Sequence, residues 1–187
     1  MIDLLQRANR GLPAVRAWIE AQLAEHASRS TPLADLGFER LPQYFPASVL
    51  RETRSVRVPR VPIPPLSGYG LPELALVENM GVSGVTFKDL CFIHESVTSE
   101  SMHFHELVHA IQWRALGVDD FVLTYGVGLL QYGYAHSPFE AMAFDLQSQF
   151  DRGLAIEDAN GQIREQALRL RDQTAGLFRQ HGLEMGG

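Results

Sequence analysis

Two imidazoles stand four residues apart in Phe104-His105-Glu106-Leu107-Val108-His109-Ala110-Ile111, with a carboxylate directly after the first. On a helix, positions i and i+4 share a face, so His105 and His109 can converge on one metal ion. Glu106 is turned about 100° from His105 around the helix, which suits a general base acting on water better than a ligand. Zinc is the ion this pattern predicts. It accepts neutral imidazole nitrogen, and in catalytic sites it takes three protein ligands and leaves a fourth position for water. Leu107, Val108, Ala110, Ile111 and Trp113 surround the polar residues. That is the composition of a core helix with a polar site cut into it, where buried polar groups need a partner such as a metal.

Two histidines leave such a site incomplete, so the third ligand decides its class. After His109 the chain runs Ala110-Ile111-Gln112-Trp113-Arg114-Ala115, without the glycine and further histidine of a metzincin. Glu140 falls in the first turn of a separate predicted helix, as a carboxylate delivered from a neighbouring helix should. Ser137-Pro138-Phe139-Glu140 also fits a capping box, with Ser137 at the N-cap, Pro138 at N1 and Glu140 at N3, so two roles compete for one carboxylate. His136, then Asp119 or Asp120, are the alternative ligands. His103 precedes His105 by two positions and points to another side of the helix, which predicts a surface or supporting role.

The elements that must position these residues follow from periodicity and punctuation. Residues 1–30 read as N-terminal helices, interrupted at Gly11-Leu12-Pro13, with Val15, Trp18, Ile19 and Leu23 at helical spacing. Eight prolines between Thr31 and Pro72 exclude a long helix there, so 31–72 is expected to be extended or irregular. Within it Arg51, Arg54, Arg57 and Arg60 recur at every third residue, which would line one edge of a polyproline II segment. The interleaved Val56, Val58, Val61 and Ile63 suggest that part of this chain also lies against the core, as a strand would. Residues 73–150 form the expected metal-site core. Strands are predicted at Leu74–Glu78, Gly84–Phe87 and Leu90–Ile93, the one nearest the metal offering an edge to an extended peptide. The motif helix then starts at Thr98 or Ser99 and stops at Gly117. Helices from Asp119 or Asp120, from Ser137 to about Phe150, and within 155–182 complete a single domain.

Composition excludes other classes. The net charge of −6 gives no electrostatic footprint for nucleic acid, and no apolar run is long enough for a membrane span. The single cysteine, Cys91, excludes an intrachain disulfide framework and sits in an apolar run where a buried, inert thiol is expected. No secretion signal is visible at the N-terminus, so a cytoplasmic location is expected.

Taken in order, the Gly84–Phe87 and Leu90–Ile93 strands, the His105-Glu106-Leu107-Val108-His109 helix, Gly133-Tyr134 and Ser137-Pro138-Phe139-Glu140-Ala141 resemble compact gluzincin zinc metallopeptidases. The likeness is particularly to small bacterial, minigluzincin-like proteins, over residues 74–150. The resemblance implies an α+β, mostly helical zincin-like domain with a small, partly antiparallel sheet preceding the motif helix. It implies one Zn2+ on His105, His109 and Glu140, with Glu106 as general base and proton shuttle. It also implies a peptide or protein substrate laid along a sheet edge, and a Tyr or His that stabilises the oxyanion. Tyr125, Tyr132, Tyr134 and His136 are the candidates for that last role. In larger gluzincins an acidic residue four positions after the ligand glutamate orients a zinc histidine. Here that position is Phe144, and Asp145 follows it as the candidate. The expected activity is peptide-bond hydrolysis through a metal-activated water; the alternative is a non-catalytic zinc-binding interaction module that keeps the same ligand shell.

Overall fold

A computed structural model describes residues 2–186. The fold is α+β and mostly helical, with a small mixed sheet before the motif helix, as expected. In chain order the elements are α1 (Ile2–His26), β1 (Thr31–Pro32), α2 (Ala47–Glu52), β2 (Arg54–Val58), α3 (Ala75–Glu78), β3 (Gly84–Phe87), β4 (Leu90–His94), α4 (Glu100–Tyr132), α5 (Pro138–Asp151) and α6 (Ala159–Gln180), joined by short 3₁₀ turns.

The sheet runs β1-β2-β4-β3. Its central pair, β2 and β4, is parallel from Arg54↔Leu90 to Val58↔His94, and the flanking pairs are antiparallel. Burial on both faces explains why β4 reads as an unbroken apolar run: Cys91, Phe92 and Ile93 are all 0 % exposed. β3 is an edge strand, joined to β4 by Lys88-Asp89, with Lys88 at φ 55 in the left-handed region that a tight hairpin demands.

Helix α4 is the axis of the molecule. Ser99 caps it by accepting from the Met102 amide at 3.2 Å. Gly117, at φ 74 and ψ 177, breaks it into arms 100–116 and 118–132. The expected stop is therefore a sharp redirection at a residue with no Cβ to strain. Every residue from His103 to Trp113 is buried. The first arm is enclosed on one side by Leu146, Phe150 and Ile163 around Phe104, Leu107, Val108 and Ile111. On the other side Val15, Ile19, Phe87, Phe92 and Phe121 gather around Trp113. Each such side chain contributes on the order of 1.5–3 kcal/mol by leaving water, which outweighs the cost of placing a polar triad in the same helix.

Three local expectations are corrected. α1 runs unbroken through Gly11-Leu12-Pro13, because Leu12, Val15 and Ile19 form one buried stripe whose packing outweighs the hydrogen bond lost at Pro13. Leu74–Glu78 is not a strand; a 3₁₀ turn leads into α3, and Leu76 points outward at 82 % exposure. The arginine series forms no single edge, because a strand alternates faces at every residue. Arg54 and Arg57 lie on opposite sides of β2, the first bonded to Ser30 and the second to the Glu95 carbonyl. Among the described residues no helix is long and apolar enough to cross a membrane.

Candidate metal centre

The first arm of α4 presents His105 and His109 on one face, with ring centroids 4.9 Å apart and the two Nε2 atoms 3.1 Å apart. α5 crosses this face and delivers Glu140, whose Oε1 lies 3.3 Å from His109 Nε2 and whose Oε2 lies 3.4 Å from His105 Nε2. Among the described residues this is the group of side chains able to hold a metal ion, its ligand atoms all within 4.8 Å of one another. All three residues are buried. The capping box does not form: Ser137 starts α5 but makes no side-chain capping bond, and the Glu140 carboxylate is turned inward.

The ring nitrogens show why a cation fits here. His105 Nδ1 donates to Gln147 Oε1 at 3.0 Å, and His109 Nδ1 donates to Gln112 Oε1 at 2.8 Å. With Nδ1 carrying the proton in both neutral rings, both Nε2 lone pairs face the same space. Glu140 Oε2 is buried without a hydrogen-bond partner and faces that space too. Two imidazole nitrogens and one carboxylate oxygen are also the donor set of a catalytic zinc site. Burial opposes charge on His109, but the adjacent Glu140 carboxylate outweighs it and lifts His109 to about 9. Burial likewise opposes charge on Glu140, yet the two histidines hold its carboxyl well below the usual range.

Glu106 sits beside this group with a different partner. It is 2 % exposed, and its Oε2 accepts from Thr86 Oγ1 on β3 at 2.7 Å. Burial raises its pKa, with His109, His105 and Thr86 opposing. The edge strand is fastened further by Trp113 Nε1 donating to the Thr86 carbonyl at 2.8 Å. A Cβ on Gly84 would lie 2.5 Å from Glu106 Oε1, so the strand approaches this closely only because Gly84 has none.

The oxyanion candidates separate. Tyr125, on the second arm, donates to Glu140 Oε1 at 2.6 Å and is placed by an aromatic stack of Trp113, Phe121 and Phe139. Burial and then Glu140 raise the Tyr125 and Tyr134 hydroxyls, so both remain protonated donors. Tyr134 lines the same cavity as Glu106, His109 and Glu140. Tyr132 is 58 % exposed and lines a different pocket, and His136 is exposed at the surface.

Asp145 is exposed and accepts from Gln149 at 3.0 Å, so it orients neither His105 nor His109. Gln147, two residues on, holds His105 instead and is anchored by donating to Ser101 Oγ at 2.9 Å. Asp119 pairs with Arg16, and Asp120 lies 3.8 Å from Arg171, both away from the metal group. His103 is buried, not superficial, bonded to Ser55 and the Ser99 carbonyl.

The site opens onto a cavity of about 130 Å³ whose lining is mainly apolar, drawn from α1 (Leu12, Val15), the 63–85 segment (Leu71, Leu74) and the second arm (Leu129, Leu130). Compared with protein-family models, curated proteins and solved structures, the chain matches none, so the chemistry of the centre rests on its own geometry.

Proposed function

We propose that this chain is a zinc-dependent metallopeptidase. The observation that carries the reading is the convergence of His105, His109 and Glu140 beside a buried carboxylate, Glu106, that an edge strand holds in place. When bound, zinc supplies Lewis acidity, lowering the pKa of water and polarising a carbonyl. The other roles belong to side chains of the chain. Glu106 takes a proton from the attacking water and passes it to the leaving amine. Tyr134 donates to the oxygen on which charge develops. β3, unpaired on its outer side, aligns an extended peptide by backbone hydrogen bonds. The apolar cavity takes a side chain: at about 130 Å³ it is close in size to an engineered cavity of roughly 150 Å³ that holds benzene, which predicts a preference for a Leu- or Phe-sized residue.

A second reading, a non-catalytic zinc-binding interaction module, is favoured by the outward placement of Asp145 and the neutral amides that support both histidines. Zinc analysis and cleavage of a peptide library separate the two. Under the peptidase reading the protein binds one zinc and cleaves; Glu106→Gln keeps the zinc and loses turnover by at least ~10²-fold, whereas Glu140→Ala loses zinc. One bound zinc with no cleavage leaves the module, and failure to bind zinc rejects both.

A further inference from the structure

A second pocket, of about 470 Å³, lies on the far side of Tyr125 and Phe139, between the second arm of α4, the start of α5 and α6. That volume is within the roughly 300–1,000 Å³ of small-molecule sites. Its polar lining comes from Thr124, Gln131, Ser137, Gln173, Thr174 and Gln180, and it includes no Lys, Arg, His, Asp or Glu. Ser137 occupies the N-cap of the 14-residue α5 yet caps nothing. Its Oγ and the Oγ1 of Thr124 are buried without a protein hydrogen-bond partner, and both residues are at least nine-tenths buried. Two unpaired buried hydroxyls, one of them at the positive end of a helix, are costly unless a ligand or solvent oxygen meets them.

We propose that this pocket binds a small, uncharged polyhydroxylated molecule of mono- or disaccharide size. Amide and hydroxyl side chains both donate and accept, which matches a ligand whose every hydroxyl does the same. Walls without formal charge offer no counter-ion to a charged ligand, and Val127, Leu170 and Leu177 offer apolar surface to the C–H faces of a sugar ring. The site does not depend on zinc chemistry. It shares Tyr125 with the metal centre, so occupancy bears on the group that holds Glu140.

The test is NMR on the full, isotope-labelled chain, following both ligand signals and protein amides, with glucose, galactose, mannose, N-acetylglucosamine and maltose at millimolar concentration, and with acetate and inorganic phosphate as anionic arms. A neutral sugar is expected to bind and to shift the amide signals of Gly128, Ser137 and Gln173. Gly176 lines the pocket, and a Cβ there meets only Arg179 Nη2 at 3.8 Å, so Gly176→Leu fills the space while favouring the helix. That variant should weaken sugar binding about tenfold or more with zinc content unchanged, and Ser137→Ala should weaken it several-fold. No binding by any sugar, binding by the anions alone, or sugar binding that both variants leave intact overturns the proposal.

Discussion

At the scale of single residues, the histidines of the centre are set by amides. Gln147 reaches His105 from α5 while Ser101 holds its other end, and Gln112 reaches His109 from within α4. A partner that fixes the tautomer and the ring plane typically changes metal affinity about 10–100-fold when removed. Gln147→Ala should therefore weaken zinc binding by about that factor in chelator competition, with the helix content unchanged, and Gln147→Glu should restore it; equal affinity in wild type and the alanine variant would show that His105 needs no such support. The convergence of His105, His109 and Glu140 was legible from the sequence because each reports its own geometry: i and i+4 on a helix for the histidines, the first turn of the next helix for Glu140. Gln112 and Gln147 carried no such signal. An amide has no characteristic spacing, and Gln147 meets His105 only once α5 has crossed α4, whereas the gluzincin resemblance points to Asp145, which is exposed.

At the scale of elements, the edge strand and the motif helix act as one unit. Thr86 holds Glu106, Trp113 holds the Thr86 carbonyl, and Gly84 allows the approach. Gly84→Ala puts a methyl carbon within 2.5 Å of Glu106 Oε1, so strand or carboxylate must move. The expected cost is about 1–3 kcal/mol of stability, with turnover reduced at least ~10-fold and zinc content retained under the proposed function; a folded Gly84→Ala variant of wild-type turnover would sever the link between β3 and the proposed base, Glu106. The elements misread from sequence were those whose local signal tertiary packing overrode. Proline in α1 reads as a break until Leu12, Val15 and Ile19 are buried together, and Ala75-Leu76-Val77 is too short an apolar run to distinguish strand from helical turn. α1 is also fastened at its start, where Arg7 bonds Glu73 at 2.6 and 3.0 Å and the Gly70 carbonyl at 2.7 Å. The Arg7 hydrogen bonds, with a backbone bond, depress the Glu73 carboxyl to about 2. A depressed folded-state pKa stabilises above the ordinary carboxylate value and loses that contribution as pH falls from about 4.5 toward 2. Protection against hydrogen exchange at the start of α1, taken relative to the intrinsic rate at each pH, should fall over that interval, and Glu73→Gln should lower it at neutral pH and flatten the acid dependence.

At the scale of the whole molecule, the break at Gly117 brings the two arms of α4 and α1 around one apolar cavity, with the metal group in its wall. Residues distant in sequence therefore line one cavity: Leu12 and Val15 from α1, Leu71 and Leu74 from the irregular segment, Leu129 and Leu130 from the second arm. Such a cavity is costly in the free protein, since its lining atoms lose contacts that a packed core would supply, and the proposed substrate side chain recovers them. Gly126 faces this cavity from the second arm, and a Cβ placed on it meets no atom within 4 Å. Gly126→Leu should thus be accommodated in the folded protein. Replacing glycine in a helix gains about 1 kcal/mol, which for a chain of this size raises the melting temperature by roughly 2–4 °C, and the leucine side chain adds apolar contact. The same side chain occupies the space proposed for substrate. Peptides with Leu or Phe at the selected position should lose kcat/KM while those with Ala keep it, and zinc content should not change. A variant that is stabilised yet still prefers Leu and Phe would place the specificity pocket elsewhere, because the filled cavity could no longer be what selects the substrate.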